Sequence, residues 1–299
     1  MRVFLTGATG YIGGAVADAL RAAGHEVVGL ARSDEAVRRL EARGIVAHRG
    51  DLKEPQSLVQ AAREVDAVIH TASTNDAYAA QADRETVEAI VRALEGTNKP
   101  FIYTSGIWVY GDTGEHPANE QSPLNPTPLV AWRPANEQLV LESSERGVRA
   151  IVIRPGIVYG RGGGIPAGLV QSAGKNGTVR FVGEGENRWP QVHVDDLADL
   201  YVRALEHAPS GTVLNATSGQ SVRVGEVAEA ASRAGGAEGR TESWPIAEAR
   251  KALGPYADAL TLDQQVSSEK AVELLGWKPE SPSMLEDLER GSYARSSHT

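Results

Sequence analysis

The segment Thr6-Gly7-Ala8-Thr9-Gly10-Tyr11-Ile12-Gly13-Gly14 follows the apolar run Val3-Phe4-Leu5 and leads into a stretch with Ile12, Val16, Ala19 and Leu20 on one helical face. The pattern reads as a strand, a glycine turn and a helix. Glycine is needed where the chain turns tightly, where backbone must approach a pyrophosphate, and where helix lies close on strand. The free N–H groups and positive dipole end of such a helix face the phosphates. The Gly-x-x-Gly-x-x-Gly spacing is one residue wider in its first gap than the common dinucleotide fingerprint, and the flanking strand and helix are the context that motif requires. The expected cofactor contacts in this turn are Gly7, Thr9, Gly10, Tyr11, Ile12 and Gly13.

Similar punctuation recurs along the first half of the chain. Glu26–Ala31, Ile45–His48, Ala67–His70, Phe101–Thr104 and Ala150–Ile153 are short apolar runs separated by segments long enough for crossover helices, beginning with a polar helix over Asp34–Ala42. Near-continuous apolar strands alternating with helices specify a parallel sheet covered on both faces, with ligands at the carboxyl ends of its strands. The expected fold is therefore α/β: a Rossmann-type doubly wound parallel sheet with a smaller C-terminal α/β lobe. Residues 1–160 would form the dinucleotide domain, with contributions from about 190–220, and residues 161–299 mainly a substrate lobe. The break falls at Arg161-Gly162-Gly163-Gly164-Ile165-Pro166. Beyond it, Val213–Asn215 reads as a strand, Val222–Ala234 as a helix, and Arg290–Thr299 as a polar, frayed tail.

The charge balance of 30 basic against 39 acidic residues, −9 net, argues against nucleic acid or an anionic membrane surface as a partner. Cysteine is absent, which removes disulfides, thiolate nucleophiles and cysteine metal sites. The seven histidines show no His-Glu-x-x-His spacing, so no metal is expected. There is no Gly-x-Ser-x-Gly elbow and no Gly-Lys-Ser/Thr phosphate loop, which disfavours hydrolysis and phosphoryl transfer. No basic-then-apolar leader precedes the first strand, and no run approaches the roughly 18 apolar residues of a membrane span, so a cytoplasmic location is expected.

The end of the second strand selects the nucleotide. A carboxylate there would accept bonds from both adenosine ribose hydroxyls and repel a 2′-phosphate. This chain has Ala31-Arg32-Ser33 instead. A guanidinium grips phosphate bidentately and a serine hydroxyl adds a bond, so NADP(H) is expected over NAD(H), unless Arg32 is simply a solvated loop residue. Asp51, beside Leu52 after the third strand, is placed to accept from the adenine amino group or to cap the following turn.

Taken in order, Thr6–Gly14, Asp51-Leu52, Tyr103-Thr104-Ser105, Val109-Tyr110-Gly111, Arg154-Pro155-Gly156-Ile157-Val158-Tyr159-Gly160, Val192-His193-Val194-Asp195-Asp196 and Leu275-Gly276-Trp277-Lys278-Pro279 give a closer identification. The chain resembles the extended short-chain dehydrogenase/reductase family, which includes the NAD-dependent epimerases and dehydratases, from residue 1 to about 290. That resemblance implies a cofactor domain with a C-terminal substrate lobe. It adds Thr71, Ala72, Ser73, Thr104, Pro155, Gly156 and Ile157 to the expected cofactor contacts. It also implies a homodimer through two helices, here Tyr78–Leu94 and Ala131–Arg146.

The family's catalytic residues do not carry over so readily. It uses a serine or threonine after the fifth strand to orient the substrate oxygen, a tyrosine as acid/base, and a lysine four residues later on the nicotinamide ribose. In the best register Gly106 stands in the hydroxyl position, Leu129 for the tyrosine and Arg133 for the lysine; a register shifted by three would give Trp132 and Asn136. Leucine cannot neutralise the alkoxide left by hydride transfer, and Arg133, always protonated, can hold ribose hydroxyls but is a poor donor. The proton must come from elsewhere, with Ser105, Tyr110, His193, Trp132 and water as candidates. His193, with an unperturbed pKa near 6.5, also precedes the helix start at Asp195-Asp196, where a structural role competes.

The reading that follows is an atypical NADP(H)-dependent oxidoreductase acting on a small carbonyl or hydroxyl compound with a non-standard proton donor. The alternatives are a catalytically inert NADP(H)-binding sensor or partner protein, and a non-redox isomerase or lyase on the same fold. In the substrate lobe, Arg161, Arg188 and Trp189 are candidates to meet an anionic or planar substrate, or to hold surface loops.

Overall fold

The computed structural model describes residues 1–294. Twelve strands run in chain order as β1 (Arg2–Thr6), β2 (Glu26–Ala31), β3 (Val46–Arg49), β4 (Ala67–His70), β5 (Pro100–Thr104), β6 (Arg149–Pro155), β7 (Ile157–Tyr159), β8 (Val179–Val182), β9 (Arg188–His193), β10 (Thr212–Ala216), β11 (Ser221–Arg223) and β12 (Thr241–Trp244). Seven of them form one parallel sheet in the order β10-β6-β5-β4-β1-β2-β3. The order reverses between β1 and β4, and a crevice opens there above the strand ends.

The alternation of side chains along each strand builds two cores. Val3, Leu5, Ile69, Ile102, Ile151 and Leu214 face one way, against α1 (Tyr11–Ala22), and meet Leu197 and Tyr201 of the helix Val194–His207. Phe4, Val68, Phe101, Tyr103 and Val152 face the other way. They meet the helices that follow α2 (Asp34–Glu41): α3 (Gln56–Glu64), α4 (Ala79–Leu94) and α5 (Arg133–Glu142). Because both faces are covered, these strands read as unbroken apolar runs.

From β7 onward the chain builds a smaller lobe from α6 (Gly164–Asn176), a three-stranded sheet β11-β9-β7 and the parallel pair β12-β8. Between these, α7 (Val194–His207) and β10 return to the large sheet. One boundary differs from the sequence pattern: Val222 lies in β11, paired with Trp189 of β9, and the helix, α8 (Val224–Ala234), starts two residues later. Val222 and Val224 are both buried, and the Glu226 side chain accepts the Arg223 N–H at the helix entry. The tail also differs. Arg290 ends the helix Met284–Arg290, but Tyr293 is buried rather than frayed, because its hydroxyl is bonded to the loop after β7; residues 295–299 lie outside the described residues. Among the described residues no helix is long and apolar enough to cross a membrane.

Candidate functional site

The glycine turn forms the floor of a groove above the crevice. Gly7 adopts φ +80°, a left-handed conformation, and a Cβ there would lie 2.7 Å from the Thr71 hydroxyl. A Cβ on Gly13 would come within 2.1 Å of the Gly7 carbonyl oxygen, so helix α1 can approach the turn this closely only with glycine at that position. Gly10 is the N-cap, and no side chain caps the helix. The first N–H groups of α1 are therefore left for a ligand at its positive end.

This groove, about 630 Å³, is lined by Gly7, Thr9, Gly10, Tyr11, Ile12, Gly13, Arg32, Ser33, Asp51, Leu52, Thr71, Ala72 and Ser73, which brings thirteen of the expected cofactor residues together. Arg32 is exposed at the end of β2. Ser33 accepts the Ala36 N–H to cap α2, which leaves its hydroxyl hydrogen free to donate outward. Asp51 accepts the Lys53 N–H through Oδ1, so it does cap its own turn, while still lining the groove. Sequence reasoning missed Arg39 and Glu35 on α2, which line the same end. Arg39 lies one turn behind Glu35 on α2 and reaches the Thr9 carbonyl at 3.4 Å.

Past Tyr11 and Thr71 the groove opens into a cavity of about 320 Å³ lined by Thr104, Ser105, Arg133, Pro155, Gly156 and Ile157, with Trp108, Val130, Trp132 and Ile165 forming apolar walls. Arg133, the first residue of α5, donates through one terminal nitrogen to the Thr104 carbonyl at 3.0 Å and the Ser105 carbonyl at 2.6 Å. Its Nε and the Ser105 hydroxyl are both buried without a hydrogen-bond partner in the protein. Orphaned buried polar atoms are uncommon and call for a ligand or a water.

One residue of this cavity is invisible to motif reading. Asp83, midway along the first half of α4, lines it and accepts four hydrogen bonds: His70 Nε2 at 3.0 Å on one oxygen, and Tyr103 Oη at 2.6 Å, Trp132 Nε1 at 2.9 Å and Asn136 Nδ2 at 2.9 Å on the other. Burial pushes its carboxyl up, but His70 foremost, then the Tyr103 hydroxyl and the Arg133 charge, hold it down to about 2. His70 Nδ1 meets the Thr6 hydroxyl at 2.7 Å, completing a buried chain across the strand ends.

Three other proton-donor candidates are either engaged within the protein or placed outside the cavity lining. Trp132 lines the cavity, but its N–H is spent on Asp83. Tyr110 does not line it: the buried hydroxyl donates to Asn215 at 2.8 Å and accepts from Arg154 at 2.7 Å. His193 does not line it either; it is the N-cap of α7 and accepts the Asp195 N–H at 3.2 Å. Of the lobe residues, Arg161 bridges Asp18 and Asp195, Arg188 is paired with Asp263, and buried Trp189 donates to the Leu260 carbonyl, so none faces the cleft. Leu129 packs toward the apolar cluster around Ile107, Val109 and Val130.

The sheet order and the cleft at its reversal define a Rossmann-type short-chain dehydrogenase/reductase. The chain belongs to the NAD dependent epimerase/dehydratase family, whose model matches residues 3–217. It is 35% identical to an uncharacterized protein of Saccharomyces cerevisiae over 98% of this chain and 99% of that one. A 2-alkyl-3-oxoalkanoate reductase of Stenotrophomonas maltophilia is 26% identical, covering 71% of this chain and 67% of the reductase. Among solved structures, the Thermus thermophilus UDP-glucose 4-epimerase complex with NAD superposes with a TM-score of 0.82 at 22% identity, covering 98% of this chain and 99% of the epimerase.

Proposed function

We propose that the protein is an NADP(H)-dependent oxidoreductase that reduces a small carbonyl compound, with Ser105 as the hydrogen-bonding and proton-donating group. The observation that carries this reading is the pair of unpartnered buried atoms, Ser105 Oγ and Arg133 Nε, where the glycine-turn groove opens into the apolar cavity. The residues present fit a dinucleotide: the turn is a cradle that a Cβ at Gly7 or Gly13 would fill, and the α1 N-terminus is uncapped. When bound, the reduced cofactor supplies a hydride.

The chain's own residues do the rest. Gly7 to Gly13 hold the pyrophosphate, and Arg32 with Ser33 takes the 2′-phosphate. Arg133, pinned by two backbone carbonyls, keeps a fixed positive charge beside the Ser105 hydroxyl and is available to ribose hydroxyls. A serine hydroxyl and the product alcohol are acids of similar weakness, so Ser105 would pass its proton to the developing alkoxide while taking one from water entering the cleft in the same relay. The negative charge arises beside Arg133, where a preoriented guanidinium needs no reorganisation to stabilise it.

The test is purified protein with NADPH, NADH and a carbonyl panel. Arg32→Ala should weaken NADPH by about 10–100-fold, the worth of a charge-assisted phosphate contact, and leave NADH within about threefold. Equal losses would overturn the nucleotide preference. Ser105→Ala should lower kcat by about 100-fold with cofactor affinity unchanged. An unaltered rate would remove Ser105 from the reaction, and tight NADPH binding without turnover by the native protein would leave a binding protein that senses the cofactor.

A further inference from the structure

We propose that the cavity beside Ser105 takes a compact, uncharged, apolar carbonyl compound, an aromatic or short-chain alkyl ketone or aldehyde, and excludes anionic substrates, nucleotide sugars included. This rests on the oxidoreductase reading above.

Charge is the first argument. Among the residues lining the cavity, the ionisable pair that carries charge at neutral pH is Arg133 and Asp83. One guanidinium and one carboxylate sum to zero, and Asp83, kept ionised by His70, Tyr103 and the Arg133 charge, leaves no net positive charge for an incoming anion. The lobe arginines that would have to balance a diphosphate are turned elsewhere: Arg188 onto Asp263 at 2.7 Å and Arg161 onto Asp18 and Asp195 at 2.9 and 2.7 Å. Arg133 is the one cationic side chain of this lining and Asp83 offsets its charge, so a substrate phosphate or carboxylate gains no net counter-charge and would bind at a loss.

Shape is the second. Trp108, Val130, Trp132 and Ile165 form the walls, and the Trp132 ring is fixed by its bond to Asp83. Ile107 and Trp108 stand on a single 3-10 turn directly after Ser105 and Gly106, so the wall and the hydroxyl are set by the same short segment. The cavity of about 320 Å³ also includes Thr71, Ala72 and Ser73, shared with the glycine-turn groove, so the nicotinamide end claims part of that volume. What remains suits one ring or a short chain, oriented by a single polar group, as in small-molecule sites generally. In the reaction the carbonyl carbon gains a hydride from the reduced dinucleotide, the oxygen gains a proton through Ser105, and an alcohol leaves.

The experiment pairs binding with turnover. Benzaldehyde and benzylacetone serve as neutral probes, benzoylformate as the anionic match and UDP-glucose as the nucleotide sugar. Each is titrated against the protein with NADP⁺ present, using tryptophan fluorescence, and the carbonyl probes are then assayed with NADPH. Neutral probes should bind and react at least about tenfold better than benzoylformate, and UDP-glucose, which offers no carbonyl to reduce and is used in the binding titration alone, should not bind. Trp108→Ala should raise the KM of neutral probes about tenfold, Trp108→Phe should recover most of it, and NADPH affinity should not move in either. Equal or better use of benzoylformate, or equal or tighter binding of UDP-glucose, overturns the proposal, as does dinucleotide binding with no binding by any neutral probe. Selective binding of neutral probes without turnover supports the substrate class and sinks the oxidoreductase reading instead.

Discussion

Oδ1 of Asp83 lies 3.0 Å from Nε2 of His70, a side chain almost wholly withdrawn from solvent, and the pair ties α4 to the ends of β1, β4 and β5 and to the start of α5. The carboxyl is held down to about 2, so its contribution to stability is present above its unfolded value near pH 4 and is lost as pH falls through about 2. That depression corresponds to about 2 kcal/mol. Asp83→Asn should therefore lower the urea midpoint by about that stability at pH 7, with the gap to the native protein narrowing between about pH 4 and 2. A gap that holds constant across this range would mean the carboxylate's charge is not what the network uses.

Arg154 and Glu137 form a second buried relationship, fully withdrawn from solvent between β6 and α5, with Nε 3.1 Å from both carboxylate oxygens. The Tyr110 hydroxyl accepts from the same guanidinium. Burial opposes the charge on Arg154, and the hydrogen bonds it donates to Glu137, with that carboxylate's charge, more than restore it. Glu137→Gln leaves that guanidinium without its counter-charge and should cost about 3–5 kcal/mol in chemical denaturation. A loss below about 1 kcal/mol would show that Tyr110 and Asn215 suffice to hold it.

These two clusters mark the limit of what the amino-acid order makes legible. The glycine turn, Arg32 and the strand ends could be read because their chemistry lies within a few consecutive residues whose spacing matches one local geometry. Asp83 could not: it is one acid among several polar residues of a helix, and its four partners come from β4, β5 and α5, brought together only by the sheet order. Tyr110 belongs to a legible motif, yet its partner Arg154 is remote in sequence, so its neighbours in the chain do not reveal that its hydroxyl is already engaged. Tyr293 was hidden by polar neighbours, although a lone tyrosine in a polar tail is a signal that something awaits its ring.

Tyr293 accepts the Gly160 N–H at 2.7 Å and donates to the Gly163 carbonyl at 2.6 Å, while Tyr11 donates to the Gly160 carbonyl at 2.8 Å. The loop between them is held in an unusual shape, with Gly160, Arg161, Gly162 and Gly164 all at positive φ. Such a shape persists only when surrounding contacts over-determine it. Tyr293→Phe keeps the ring and removes both bonds, leaving a buried N–H unpaired at a cost of about 1–3 kcal/mol. Amide exchange should accelerate in residues 160–164 while β4 stays protected. Unchanged exchange in the loop would mean that Tyr11 alone secures it.

Arg39 stands with Arg32 at the end of the glycine-turn groove where β2 meets α2, and among the described residues its one hydrogen bond there is the long one to the Thr9 carbonyl at 3.4 Å. A guanidinium so weakly engaged keeps most of its five donors for a ligand. If both arginines grip one 2′-phosphate, each holds it in place for the other and removing either already loosens both contacts, so their effects do not add. Arg39→Ala should weaken NADPH by about tenfold and NADH by less than about threefold. The double variant with Arg32→Ala should then lose less than the product of the single losses. Full multiplicativity, measured by isothermal titration, would place the two guanidiniums on separate parts of the nucleotide and confine the phosphate to Arg32.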